Sequence, residues 1–246
     1  MEISILFRDD ELVVVNKPSG LMVHRSLLAK DVNEFALQIV RDQIGEKVYP
    51  VHRLDRATSG ALIFALSSKS ARSLSQQFAA GEVEKRYLAV VRGVPPNEFT
   101  VDHSLKEELD EKIDRGAKAD KPAQSARTCF STLATTEFAV SVDKYPTSRY
   151  SLVLAEPKTG RKHQIRRHLH HCGHPIIGDV AHGSGKHNRF FRQKFGIHRL
   201  LLACMEISFS HPVDGRIIRI QAPLAEEYLK LLNELGWGAV SIFLEK

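Results

Sequence analysis

The chain of 246 residues carries 35 lysines and arginines against 29 aspartates and glutamates, and 43% of its residues are hydrophobic. This length can bury the core of one large domain, and the composition excludes a disordered or low-complexity protein. Three dispersed cysteines exclude a disulfide framework and favour reduced thiols in a cytoplasmic protein, and no stretch resembles a signal peptide or a membrane span.

The first half of the chain shows strand patterns joined by turns. Residues 3–7 and 12–15 predict a hairpin across the polar residues 8–11, and its second strand runs into a Pro-Ser-Gly turn. Apolar residues at helical spacing predict a helix over 31–45. Residues 48–51 and 61–66 predict two largely buried strands, and the connecting loop reads His-Arg-Leu-Asp-Arg-Ala-Thr-Ser-Gly over 52–60.

Asp55 stands in this loop between Arg53 and Arg56. Loops on rigid scaffolds commonly carry functional side chains, and a carboxylate near cations is held ionised. The alternative is structural: Asp55 would then cap the turn or form an ion pair with one of these arginines.

The second half continues with many strands and few helices. We predict helices over 67–80, 163–172 and 225–235, strands over 85–93 and 150–155 and from residue 128, and a hairpin of 200–209 with 216–220. The polar segment 94–127 is predicted to be a mobile surface insertion. Strands joined by hairpins predict an α+β fold, with a mixed, mostly antiparallel central sheet and peripheral helices in a single domain over 1–246.

The positive charge is unevenly distributed along the chain. Residues 161–167 read Arg-Lys-His-Gln-Ile-Arg-Arg, whereas residues 107–111 are acidic. A positive surface beside a reactive carboxylate suits an anionic substrate such as RNA.

Side chains near this basic run raise the alternative of a zinc or iron site, and they are His163, His168, His170, His171, Cys172 and His174. Their spacing does not place them on one helical face, and the helix carries no carboxylate. We therefore interpret them as a basic surface that partly lines an RNA groove, without a metal.

Four segments in chain order carry a family resemblance: 16–24 (NKPSGLMVH), the 52–60 loop, 85–87 (KRY) and 160–169 (GRKHQIRRHL). Together they resemble the pseudouridine synthases with the His-Arg-Leu-Asp signature, which modify ribosomal and transfer RNA. Residues 16–25, 40–45, 145–150 and 156–169 are most similar to the members that modify uridine 65 of bacterial tRNA. A compact rRNA-modifying member is the alternative within the family.

The resemblance implies the pseudouridine synthase catalytic fold, with an active-site cleft across the sheet and no N-terminal S4 domain. It also implies RNA, and tRNA in particular, as the partner. No cofactor, metal or membrane is expected, and we expect a monomer.

The resemblance assigns roles to individual residues. Asp55 matches the catalytic aspartate, and Arg166 matches the basic residue that pairs with it. Tyr87 matches the tyrosine that packs on the target uracil and is a candidate to move its C5 proton; the alternative is a core tyrosine. Arg53 matches the arginine that occupies the space of the flipped nucleotide. Other residues expected to contact the substrate are Lys17, His24, Arg56, Lys85, Arg161, His163, Gln164, Ile165 and Leu169.

The reaction explains these residue types. Pseudouridine formation breaks the N1–C1′ bond, rotates the uracil and rejoins it through C5, so one carboxylate can suffice where glycoside hydrolysis usually needs two. Attack on C1′, addition to C6 and removal of the C2′ proton stay open, and all three need the carboxylate ionised. Burial raises a carboxylate pKa, so an arginine beside Asp55 is required. The nucleotide must also leave its stem, at a cost of about a few kcal/mol.

Two other classes compete with this interpretation. A non-catalytic RNA-binding protein, such as an RNA chaperone, would keep the fold without the chemistry, and the presence of Asp55, Tyr87 and Arg166 argues against it. A metal-dependent nuclease or hydrolase would need a ligand cluster that the sequence does not show.

Overall fold

The computed structural model of the chain describes residues 1–24, 34–107 and 122–239. Ten strands lie in these ranges: β1 (Ile5–Arg8), β2 (Leu12–Lys17), β3 (Tyr49–Pro50), β4 (Ser59–Ala65), β5 (Glu84–Arg92), β6 (Glu98–Asp102), β7 (Arg127–Phe138), β8 (Ser148–Pro157), β9 (Leu202–Ser210) and β10 (Ile217–Gln221). The helices there are α1 (Ala36–Ile44), α2 (Ser68–Ala80), α3 (Gln164–His171), α4 (Gly185–Phe195) and α5 (Glu226–Glu234).

All ten strands belong to one sheet, whose main path runs β1-β2-β4-β9-β5-β8-β7-β6, with β3 paired to β4 and β10 to β9. Every pair is antiparallel except β4 and β9, which run parallel where Ser59 faces Ala203 and Gly60 faces Cys204. The predicted α+β class and mostly antiparallel sheet are confirmed.

The parallel junction divides the hydrophobic core into two clusters. One cluster packs around β2 and β4, the other packs around β5 and β8, and Tyr87 contacts both. Gly60 makes the junction possible because a Cβ at this position would lie 2.0 Å from the carbonyl oxygen of Cys204. The Asp55 loop therefore enters the sheet where its two halves meet.

The local signals explain the helix ends near the site. Ser67 caps α2 by accepting a hydrogen bond from the backbone N–H of Ser70, and Gly81 ends the helix with a φ of 76°. This helix packs against β3, β4 and β9, while α3 packs against β8. Both predicted helices are thus found on the faces of the sheet.

The structure differs from the sequence predictions in four places. Helix α4 was not predicted, because its apolar residues Phe190, Phe191 and Phe195 lack a helical repeat long enough to recognise. Residues 98–102 of the expected insertion form β6, which pairs with β7, so this part of the segment belongs to the sheet. Strand β3 has only two residues, neither fully buried. The helix expected from residue 31 begins at Ala36.

Parts of two predictions lie outside the described residues: the start of the 31–45 helix, up to residue 33, and residues 108–121 of the 94–127 insertion. Arg25, at the end of the first motif, lies outside them as well. None of the helices in the described ranges is long and apolar enough to cross a membrane.

Candidate active site

Asp55 lies in the loop that joins β3 to β4, as the sequence predicts. Its carbonyl accepts a hydrogen bond from the Thr58 N–H at 3.0 Å, which closes a turn just before β4. The turn after β2 braces the same loop, since the Ser19 hydroxyl donates to the carbonyl of Ala57 and the Gly20 N–H donates to the carbonyl of Arg56. The Asp55 side chain keeps 21% of its surface exposed, so it can meet a substrate from a rigid backbone.

A cavity of about 570 Å³ lies beside Asp55. Four segments form most of its wall: the 52–58 loop, residues 78–81 at the end of α2, the first half of β5, and the stretch from Pro157 to Arg166. Asp55 is the only acidic residue among the described residues that line the cavity, and its basic lining residues are Arg53, Lys85, Lys158, Arg161, Lys162 and Arg166. Such a wall attracts a polyanion and leaves one carboxylate for chemistry.

Arg166 holds Asp55 from helix α3. Its Nη1 lies 3.1 Å from Asp55 Oδ2, while Nε and Nη2 donate to Asp179 Oδ2 and Oδ1 at 2.7 and 2.8 Å. Burial opposes a charge on the guanidinium, but Asp179 and Asp55 outweigh it and raise the Arg166 pKa. Arg56 instead donates from Nε to the carbonyl of Gly20, and Arg53 makes no ion pair with Asp55. The ion pair implied by the resemblance is present; its part in catalysis stays a prediction.

Asp179 is a member of the site that the sequence did not reveal. Its side chain is 2% exposed, and Oδ1 also accepts the N–H groups of Ala181 and His182 at 2.9 and 3.0 Å. Burial raises the pKa of the Asp179 carboxyl, but the Arg166 guanidinium and these N–H groups outweigh it and keep the pKa below its ordinary value. Asn188 of α4 clamps the same loop by donating to the Asp179 carbonyl. The unpredicted helix therefore anchors the partner of Arg166.

Tyr87 lies in β5 and lines the cavity near Asp55. Burial raises the pKa of its phenol well above the ordinary value, and the Cys204 thiol and Asp55 carboxylate act in the same direction. Burial likewise raises the pKa of the Cys204 thiol to about 12. Tyr87 therefore presents a neutral aromatic ring to the cavity, which suits stacking better than proton abstraction.

His163 lies close to Asp55, and His182 contacts His163. His163 is the N-cap residue of α3, and its Nε2 lies 3.8 Å from Asp55 Oδ2. Its Nδ1 is 3.0 Å from Nε2 of His182, which follows Asp179 by three positions. His163 has a φ of 55°, the only positive φ of a non-glycine residue in the described part of the chain. Such a conformation is unfavourable for an ordinary side chain and commonly marks a functional site.

Three residues expected to contact the substrate are buried and engaged within the protein. Lys17 is fully buried, and its Nζ donates to the carbonyls of Pro18, Leu21 and Arg56, so it braces the loops instead of lining the groove. Burial lowers its pKa to about 7. Leu169 is fully buried in the core. Gln164 borders the cavity, but its amide is committed to protein partners.

The Gln164 amide ties together the segments that frame the cavity. Its Oε1 accepts from the Thr159 hydroxyl and the Arg161 N–H, and its Nε2 donates to the Arg127 carbonyl and the Thr128 hydroxyl. This agrees with the interpretation that Gln164 orients its loop through backbone hydrogen bonds.

The other residues predicted to contact the substrate differ in whether they line the cavity. Arg53, Lys85, Arg161, His163 and Ile165 line the cavity. His24 and Arg56 are exposed and lie outside its lining. Within residues 1–24, 34–107 and 122–239, no group of three or more His, Cys, Asp or Glu side chains could hold a metal ion.

Comparison with known proteins gives a consistent result. A family model described as RNA pseudouridylate synthase matches residues 11–171, more than half of the chain. A protein of Vibrio cholerae named tRNA pseudouridine synthase C is 50% identical over 235 residues, which cover 96% of each chain. A protein of Haemophilus ducreyi with the same name is 47% identical over 243 residues, which cover 99% of this chain and 100% of that protein.

Two solved human structures share the fold. RNA pseudouridylate synthase domain containing 1 has a TM-score of 0.68 at 24% identity, covering 96% of this chain and 95% of its own. RNA pseudouridylate synthase domain containing 4 has the same TM-score at 25% identity, covering 95% and 93%.

Proposed function

The chain belongs to the RNA pseudouridylate synthase family, and we propose that it converts uridine 65 of tRNA to pseudouridine. The relatives named tRNA pseudouridine synthase C support tRNA as the substrate, because they match this chain over nearly its whole length at 46 to 50% identity. The motif resemblance supports position 65. In this proposal the protein is a cytoplasmic monomer that needs neither a metal nor a cofactor.

One observation carries the proposal: a carboxylate with 21% of its side chain exposed, paired to a buried arginine, in a cavity whose other charged lining residues are basic. The Asp55 carboxylate must be ionised for attack on C1′, addition to C6 or removal of the C2′ proton. Arg166 Nη1 donates to Asp55 Oδ2 at 3.1 Å, while Asp179 holds the guanidinium by two further hydrogen bonds. The same arrangement therefore serves each of the three routes.

The remaining roles follow from position. A nucleotide flipped into the cavity would stack its uracil on Tyr87, which offsets part of the cost of about a few kcal/mol for leaving the stem. Arg53 is exposed at the edge of the same loop and can fill the space that the nucleotide vacates. Lys158, Arg161 and Lys162 line the other side and can bind the phosphates next to the target.

The test is release of tritium from tRNA labelled at uridine C5, with no added metal. We expect release by the wild-type protein and none above background by Asp55→Asn, which removes the charge at nearly constant shape. The matched control is Asp143→Asn, because this carboxylate pairs with Lys186 outside the cavity lining and should be dispensable. Wild-type protein that releases no tritium from any cellular RNA would refute the enzymatic proposal.

The target uridine is tested separately. We expect a strain that lacks the gene to lose pseudouridine at tRNA position 65 and nowhere else. Complementation with the wild-type gene, but not with Asp55→Asn, should restore it. A modification lost from ribosomal RNA instead would replace tRNA by rRNA as the substrate.

A further inference from the structure

His163, which lies beside Asp55, and His182, which contacts His163, have no role in the function proposed above. His163 Nε2 lies 3.8 Å from Asp55 Oδ2, which is too long for a hydrogen bond but close enough for a bound group to contact both. His163 Nδ1 lies 3.0 Å from His182 Nε2, at hydrogen-bond distance. His163 lines the cavity, so its ring can meet a flipped base.

A chain of contacts links these rings to the reactive carboxylate. Arg166 bonds both Asp55 and Asp179; Asp179 accepts the backbone N–H of His182; and His182 meets His163, which returns to Asp55. The carbonyl of His182 is also 2.7 Å from Nδ1 of His170 on α3. The loop that carries His182 is thus held on two sides, and a precisely held ring is what proton transfer requires.

The backbone of His163 is also unusual. Its φ of 55° places it in the left-handed region, which histidine adopts far less readily than glycine. Here the conformation brings the imidazole to the N-terminus of α3, beside the cavity. Strain of this kind, of about 1–3 kcal/mol, persists where the surrounding structure enforces it.

The reaction leaves one proton without an acceptor. When the uracil rejoins the ribose through C5, that carbon carries both the new C–C bond and its original hydrogen, and the hydrogen must leave as a proton. Tyr87 is the candidate from the sequence, but burial raises the pKa of its phenol well above the ordinary value, which disfavours the phenolate that would accept the proton. A neutral imidazole in the same cavity is a better acceptor.

We propose that His163 Nε2 accepts the C5 proton of the rejoined uracil and that His182 orients the His163 ring for this step. The proposal rests on the proposed pseudouridine synthase activity. In the reactive state His163 is neutral, its Nδ1–H donates to His182 Nε2, and its Nε2 lone pair is on the side of Asp55. The C5–H bond breaks, its electron pair restores the C5–C6 double bond, and the proton forms a new N–H bond on His163.

The charges and protons balance in this step. The imidazolium that forms lies 3.8 Å from the Asp55 carboxylate. The negative charge of Asp55 stabilises this cation and offsets its repulsion by the nearby Arg166. The proton then leaves to solvent, which accounts for tritium release, and N1 of the uracil takes up one proton from solvent. His163 is thereby neutral again, and no oxidant or metal takes part.

The test uses His163→Asn and tRNA whose target uridine carries deuterium at C5. Asparagine tolerates a positive φ and can still donate to His182, but it cannot accept the proton. We expect single-turnover product formation to fall at least ~100-fold, the usual contribution of a general base. We also expect the rate to become sensitive to deuterium at C5, because loss of this proton is then the slowest step. His182→Asn should give a smaller fall with the same isotope sensitivity, and the exposed His198→Asn should match the wild type.

A second variant separates the effect of losing the imidazole from any effect on the backbone conformation. His163→Gly suits the positive φ, so it should fold, bind tRNA and react slowly, and added imidazole should accelerate it. A His163→Asn rate within about threefold of the wild type, or a slow rate that is equal for protium and deuterium, would overturn the proposal. Failure of the wild type to form any pseudouridine is a different result, because it would refute the activity itself.

Discussion

Replacing Asp179 by asparagine tests whether the buried partner of Arg166 supports the whole site. The carboxylate is 2% exposed and receives two hydrogen bonds from Arg166 and two from backbone N–H groups. Asparagine can keep the backbone bonds through its oxygen, but its N–H₂ group faces the N–H groups of the guanidinium. Removing one partner of a buried ion pair costs about 3–5 kcal/mol. Because Asp55 still contacts Arg166, we expect about 3 kcal/mol, the low end of that range.

For a protein of this size, 1 kcal/mol corresponds to a melting-temperature change of about 2–4 °C, so Asp179→Asn should melt about 6–12 °C lower. Thermal unfolding followed by circular dichroism gives this value. Activity should fall about 100-fold at a temperature where the variant is folded, because a misplacement of about 1 Å at a reacting group has that effect. Asp143→Asn, whose carboxylate lies in a surface ion pair with Lys186, is the control and should not change the melting temperature measurably.

The reasoning would be refuted if Asp179→Asn melted with the wild type, since the bidentate pair would then contribute nothing to stability. It would also be refuted if the folded variant retained full activity, because the orientation of Arg166 would then be independent of Asp179.

Three other outcomes follow from the structure. The pKa of Asp179 is held below its ordinary value of about 3.9. The stability that this carboxylate contributes is therefore present above that pH and is lost as the pH falls through the folded-state pKa. Acid titration should destabilise the wild type more steeply than Asp179→Asn. Gly60→Ala should destabilise by at least ~3 kcal/mol in urea unfolding, since its Cβ would lie 2.0 Å from the Cys204 oxygen at a φ of 112°, whereas Gly160→Ala, with open space and no positive φ, should be neutral. Lys17→Met should cost about 3 kcal/mol in the same assay because three carbonyls lose their donor, and equal urea midpoints for variant and wild type would show that these bonds contribute nothing.

The proposal for His163 changes which role each residue of the cavity has in the reaction. Tyr87 and His163 both line the cavity, but only the imidazole can take up a proton near neutral pH. In this assignment Tyr87 stacks on the uracil, His163 accepts the C5 proton, and Asp55 acts on the glycosidic bond. The isotope and rescue experiments distinguish this assignment from one in which the tyrosine moves the proton.

The sequence alone was informative wherever a signal is local. The ends of helix α2 at Ser67 and Gly81 could be predicted because capping depends on residues within one turn. The hairpins of β1 with β2 and of β9 with β10 follow from short apolar runs around polar turns. The 52–60 loop identified the reactive carboxylate because its nine residues are contiguous, and the resemblance of four motifs implied Arg166 as its partner.

Only the tertiary structure decided what depends on distant parts of the chain. Arg166 and Asp55 are 111 positions apart, and the bidentate partner Asp179 lies in a segment with no motif of its own. Lys17 could as well have been a surface cation, since burial is a property of the packed loops and not of its neighbours in sequence. Packing between distant segments also produces the contact of His163 with His182 and the parallel pairing of β4 with β9. Local patterns fix the elements because they act through the backbone nearby, whereas the site forms only when packing brings separate segments within hydrogen-bond distance.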